Sequence, residues 1–569
     1  MAACKLPTLC TAPTPYLYAS RRSAGQTIIS TAAASACHRC RASRRRIQAA
    51  GDCTKHSAWT SIRHERWEGD LAIEGHIPAW LNGTYLRNGP GVWEVGDHAL
   101  DHVFDGYATL VRVYFQGARG RATGAHRQIE SDAYKAAARA HGRRRPLMRM
   151  REFSQLCPSE PGTLLDRLRH VVGLVTGAGM SDNANTAVLP LGDGRVVCLA
   201  DVTKSSVLVD PETLETVGKL RYADRLWCPV QCTHPVVTTT TTTTTRAAAA
   251  AEVLMLHPDF ARRGYLVARM MAAGGTGSND RREVVGRVRC RGGTTPAWVH
   301  SFAVTAKYIV VPEMPLRYSV ACLLMSELTP FYIMDWLPHS GSYMHVICRS
   351  TGNTVASVEV PPFVAFHFIN AYEENGDDDD GVRPNAIIAD CCEYYADPAI
   401  IQALALHRLR SPETAKDFPD SRVARFRIPL DGSAAMGELE TVLDPEEHGR
   451  GVELSTINPD YVGKEYRYLY ACTARRPCNF FNALTKMDLV EKETTSWHEE
   501  GTVPSEPFFV ARPGATNEDD GVVISTASTM DGDGYVLLLD AATFKEIARL
   551  RLPYGLPFGF HGCWIPDNN

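Results

Sequence analysis

Short apolar runs rich in β-branched residues alternate with clusters of Gly, Asp, Asn and Pro along most of the chain. Arg195–Asp201 (RVVCLAD) follows the turn Gly192-Asp193-Gly194. Tyr308–Val311, Ala386–Ala389, Tyr466–Ala471 and Gly521–Ser525 have the same character. Tyr535–Leu539 follows Asp531-Gly532-Asp533-Gly534. That tetrapeptide is a hairpin signal, because Asp-Gly readily adopts the positive φ of a tight turn. Helical periodicity is sparse, and Ala133–Ala140 and Leu164–Val175 are its best candidates. Many short, regularly spaced strands predict a large all-β barrel, sandwich or propeller.

Four histidines sit in apolar or aromatic surroundings: His234 (CTHPVV), His300 (WVHSFAV), His367 (VAFHFIN) and His561 (GFHGCW). One such residue is usually a satisfied core histidine; four would each need a buried partner. They are separated by 66, 67 and 194 residues. The last interval is close to three of the first. A unit of about 65 residues can hold a four-stranded propeller blade with long loops, and seven such units fit the chain. Radial repetition would then turn the same edge of each blade toward one axis, where the four imidazoles converge. A set of four neutral imidazoles suits Fe(II), Cu, Zn or Ni and leaves positions open in an octahedral field. Such a site needs carboxylates behind it to accept the far ring N–H of each histidine.

Composition changes the picture at the N-terminus. Met1–Ala50 holds no Asp or Glu and eight basic residues, amid Ala, Ser, Thr and Cys, and it has no continuous apolar stretch of the secretory kind. Residues 1–50 read as an organelle transit peptide, which composition alone does not assign to chloroplast or mitochondrion. Residues 51–569 are the expected propeller body. Without the leader, 52 Lys and Arg face 64 Asp and Glu, a formal charge of −12. A body so acidic argues against nucleic acid as partner. The 17 cysteines form no small-domain framework and read as reduced packing residues; the lone CxxC at Cys37–Cys40 lies in the leader. The Thr and Ala run at 238–251 reads as a loop insertion, and Asp377–Asp380 as a solvated turn. No stretch is long and apolar enough for a transmembrane helix.

Several motifs in order resemble the carotenoid cleavage dioxygenase family. They begin with Leu81–Gly91 (LNGTYLRNGPG) and Phe104-Asp105-Gly106. Thr233-His234-Pro235, His300–Thr305 (HSFAVT) and His367–Glu373 (HFINAYE) follow. Pro504–Pro507 (PSEP), Glu518–Gly521 (EDDG) and Phe560-His561-Gly562 complete the series. The resemblance runs from about Glu68 to Pro566. It implies a seven-bladed β-propeller with helical and loop insertions capping one face. It implies Fe(2+) on the axis, held by His234, His300, His367 and His561. It also implies three supporting acids, falling at Asp201, Glu453 and Glu506. Asp201 departs from the family's Glu, and one methylene less of reach calls for a bridging water or a backbone shift there.

Further stretches resemble the plastid branch of the family that acts in strigolactone biosynthesis. They include Glu130–Ala137 (ESDAYKAA), Arg282–Arg291 (REVVGRVRCR), Pro315–Val320 (PLRYSV), Ile388–Glu393 (IADCCE) and Arg476–Phe480 (RPCNF). That branch implies a chloroplast enzyme using O2 to cleave a conjugated double bond of an apocarotenoid, 9-cis-10′-apo-β-carotenal, giving carlactone. The residues leave open an enzyme acting on other carotenoids, an isomerohydrolase that does not incorporate O2, and a non-catalytic carotenoid-binding propeller. The apolar stretch Tyr318–Leu337 is a candidate for peripheral membrane contact and equally for a buried insertion.

Overall fold

The apolar runs become the middle strands of blades, and there they lose alternation. Gly534–Asp540 is buried at all but its last position, and Ala386–Glu393 at every position. A strand flanked by a neighbour on each side and a blade on each face has no solvent side, so its pattern is continuous. Outer strands are polar instead: Thr354–Val360 and Glu493–His498 are mostly exposed or half-buried.

The computed structural model describes residues 57–567, except 96–97, 143–171, 173–179, 240–250, 272–279, 320–330, 376–383, 412–416, 431, 433–435 and 479. The expected transit peptide, the turn Asp377–Asp380 and, save Val172, the expected helix Leu164–Val175 lie outside these residues. Among the described residues seven sheets have four or more strands, and two further sheets have two strands each. The seven large sheets are the blades of a propeller. The expected helix Ala133–Ala140 appears as Asp132–Gly142. The Thr/Ala run joins Val236–Thr239 to Ala251–Asp259, which pair as a hairpin.

The ring is closed twice. In the first blade the last strand of the chain, Gly562–Pro566, pairs with Asn82–Val92. In the seventh, the early strand Ala72–Gly75 pairs with Glu546–Arg551. Each closure ties a strand from one end of the chain into a blade built from the other end. Gly562 permits the first contact: a Cβ there would stand 2.6 Å from Tyr85 Cε2 and 2.9 Å from the Leu86 carbonyl.

Candidate metal centre

The blades divide the site between them. His234 precedes Val236–Thr239, the first strand of the third blade. His300 precedes Ala303–Val304 in the fourth, and His367 lies in Ala365–Glu374 of the fifth. His561 precedes the closing strand Gly562–Pro566 of the first. The three blades that contribute none of these four histidines carry the acids. Asp201 follows Val196–Leu199 in the second, Glu453 lies in Arg450–Thr456 of the sixth, and Glu506 joins two strands of the seventh. Two of the inward-turned side chains sit at breaks in pairing. The register shifts between Ala365 and Phe368, around His367, and on both sides of Glu453. Such bulges re-aim a side chain that regular alternation would send elsewhere.

One ligand atom of each of the four histidines lies within 4.8 Å of the other three. His234 Nε2 is 3.1 Å from His300 Nε2, and His367 Nε2 is 3.3 Å from His561 Nε2. Nitrogens about 2.1 Å from a common ion lie about 3 Å apart at right angles, so these pairs have the spacing of adjacent ligands. The rings meet edge-on rather than stacked: His234 and His561 have centroids 4.3 Å apart at 90°. Burial holds His234, His300 and His561 well below the ordinary imidazole pKa, and neighbouring histidines add to the effect. The rings are therefore neutral, with lone pairs available to a cation.

Behind the rings the acids act unequally. Glu453 accepts from His367 Nδ1 and from the Leu454 backbone N–H. Glu506 Oε1 lies 2.8 Å from His561 Nδ1, and its Oε2 accepts from Gly562 N at 2.8 Å. A proton held on Nδ1 directs the Nε2 lone pair to the centre. Asp201 Oδ1 stays 4.0 Å from His300 Nδ1. The shortfall expected from the shorter side chain is present, and the Thr233 hydroxyl stands nearer the same nitrogen, at 3.1 Å. Among the described residues no carboxylate lies within ion-pair distance of His234.

Burial raises Glu506 to about 8 and Asp201 to about 7. A divalent cation among the histidines opposes that rise. Glu453 Oε1 and Asp201 Oδ1 are buried without hydrogen-bond partners. Burial that lifts Glu506 and Asp201 this far disfavours their anions in a low-dielectric interior, and a cation at the centre would stabilise them. The donor set thus fits a metal ion.

The sequence named these seven residues, and the structure brings the four histidines together with Glu453 and Glu506 behind two of them. Sequence reasoning gave no role to Arg87, a buried guanidinium behind Glu506. Arg87 donates to Ser505 Oγ at 2.7 Å, Thr526 Oγ1 at 2.5 Å and the Pro557 carbonyl at 3.1 Å. Its place in the Leu81–Gly91 motif was visible; its distance across the ring closure was not.

The fold and the histidine centre define a seven-bladed β-propeller with a four-histidine candidate metal site. A family profile described as RPE65, retinal pigment epithelial membrane protein, matches residues 59–566, and the chain belongs to that family, the carotenoid oxygenases. Among its relatives is carotenoid cleavage dioxygenase 8 homolog A, chloroplastic, of Oryza sativa subsp. japonica. The two are 65% identical over 514 residues, 90% of this chain and 88% of the rice protein. Carotenoid cleavage dioxygenase 8, chloroplastic, of Arabidopsis thaliana is 53% identical, over 91% of this chain and 87% of its own. A cobalt-substituted Synechocystis ACO crystal structure has the same fold, with a TM-score of 0.71 at 23% identity, covering 90% of this chain and 98% of that one.

Proposed function

We propose that the chain is a plastid carotenoid cleavage dioxygenase that acts on 9-cis-10′-apo-β-carotenal and yields carlactone. The carrying observation is the convergence of His234, His300, His367 and His561 within 4.8 Å, with Glu453 and Glu506 behind two of them. The rice relative's name carries both the cleavage activity and the chloroplast. The acid-free, Arg-rich residues 1–50 fit removal as a transit peptide on import.

His234, His300, His367 and His561 would hold iron(II). Bound there, the iron supplies the O2 chemistry that splits a conjugated double bond into two carbonyls. The chain's own residues do the rest. Glu453 and Glu506 hold the Nδ1 protons of His367 and His561, fixing tautomer and ring orientation. Aromatic side chains exclude water on one side of the site. Trp298 and Phe366 pack 5.2 Å apart, and Phe104 lies 5.7 Å from Phe560 and 6.2 Å from Phe366. No side chain is required as a nucleophile.

The substrate dissolves in membranes, so the enzyme takes it from a lipid surface. No helix among the described residues is long and apolar enough to cross a membrane. Tyr318–Leu337 remains the candidate contact, although 320–330 lie outside the described residues. Tyr318 is buried and Leu337 is 44% exposed, so at least one end of the stretch reaches the surface.

Glu506→Gln is expected to weaken Fe(II) binding roughly 10–100-fold, the usual effect of losing a carboxylate behind a ligating histidine. Anaerobic competition with a chromogenic chelator measures it.

The test of function uses protein lacking residues 1–50, loaded with Fe(II) and supplied with ¹⁸O2 and each isomer of 10′-apo-β-carotenal. Labelled carlactone from the 9-cis isomer is the expected product. Unlabelled isomerised product would point to an isomerohydrolase. No reaction with either aldehyde, at full iron occupancy, would overturn the substrate assignment.

A further inference from the structure

Two of the three acids meet a histidine directly; Asp201 does not. Its Oδ1 is 4.0 Å from His300 Nδ1, outside hydrogen-bond range, and has no partner of its own. Thr233 is fully buried, and its Oγ1 lies 3.1 Å from the same nitrogen and 3.3 Å from the His300 carbonyl. The Thr233 hydroxyl also faces the Asp201 carboxyl. A hydroxyl has one donor and two acceptor positions, so it can receive one proton and pass on another.

We propose that Thr233 is the positioning residue for His300. Its hydroxyl accepts the Nδ1–H of His300 and donates toward the Asp201 carboxylate, spanning the methylene by which Asp falls short of Glu. The inference rests on the reading of His300 as a metal ligand. The relay also ties neighbouring ligands together, because Thr233 directly precedes His234. The Cys232 thiol reinforces that tie, donating to the His300 carbonyl at 2.7 Å.

The relay makes a prediction that packing does not. If Thr233 serves only to connect Asp201 to His300, a carboxylate long enough to reach His300 unaided makes it dispensable. The measurement is anaerobic Fe(II) affinity of the full chain lacking residues 1–50, with Co(II) as a second probe read by its d–d absorption. Circular dichroism of each metal-free variant checks the fold. Thr233→Val, which keeps the shape and removes the hydroxyl, is expected to weaken binding roughly 10–100-fold. Thr233→Ser and Asp201→Glu are expected to stay within about threefold of the parent, a difference under about 0.7 kcal/mol. In the Asp201→Glu background, Thr233→Val is expected to cost less than about threefold, a non-additivity that marks direct coupling.

Equal loss from Thr233→Val in both backgrounds would mean that Thr233 acts by packing, and would overturn the relay. So would parent-like binding by Thr233→Val. If Thr233→Val does not fold, Asp201→Asn replaces it, with the same order of loss expected and parent-like binding again overturning the relay. A parent protein that binds neither ion would remove the metal-site reading itself, a result visible before any variant is made.

Discussion

His367→Ala is expected to abolish turnover, with loss of roughly 10³-fold or more, about 4 kcal/mol of transition-state stabilisation. The imidazole is one of four converging nitrogens, and three do not enclose the ion from the same sides. The change also strips Glu453 of its His367 partner, leaving the Leu454 N–H, while Glu453 stays buried, 2% exposed. A buried carboxyl that loses a hydrogen-bond partner costs about 1–3 kcal/mol, so the metal-free variant should melt below the parent. His367→Ala combined with Glu453→Leu should recover much of that stability and none of the activity. Thermal melting of metal-free protein and single-turnover cleavage separate the two effects. Parent-like turnover by His367→Ala would remove His367 from the ligand set.

Trp298→Ala should produce the largest loss of stability among single changes near the site, about 3–5 kcal/mol. Trp298 is 1% exposed and among the largest fully buried side chains. Its ring packs 5.4 Å from His300 and 5.2 Å from Phe366, so the void opens directly behind a histidine of the centre. Iron affinity should therefore fall with stability, whereas Phe426→Ala, in a fully buried position in the fifth blade, should lower stability alone. Urea unfolding of metal-free protein, followed by metal titration of each variant, measures both quantities. A Trp298→Ala protein as stable as the parent would show that the surrounding residues collapse into the void.

The middle strands were legible because burial on both faces writes continuous apolar runs. Tyr308–Val311 extends only to Glu313, and Tyr535–Leu539 gains one residue at each end. Outer strands were not legible: Thr354–Val360 holds Thr, Ser and Glu on faces turned to solvent. The histidines stood out because each is polar in an apolar run, and their spacing follows the blades. Glu453 and Glu506 came from resemblance, since a single acid in a strand or loop has no local mark. The Thr233 contact was hidden for another reason. A hydroxyl facing a ring 67 residues away depends on how two blades abut, and no local pattern encodes that.

Double closure of the ring has a consequence for biogenesis. Translation proceeds from the N-terminus. His234, His300 and His367 leave the ribosome long before His561, which sits beside the final strand and takes its place as Gly562–Pro566 zips onto Asn82–Val92. The fourth imidazole and the last seam of the ring are set by the same event. Capture of an ion by all four proposed ligands is therefore expected only after that pairing, and a chain interrupted before that seam lacks both its fourth nitrogen and its circular closure. Ion retention would then report that Gly562–Pro566 had paired with Asn82–Val92.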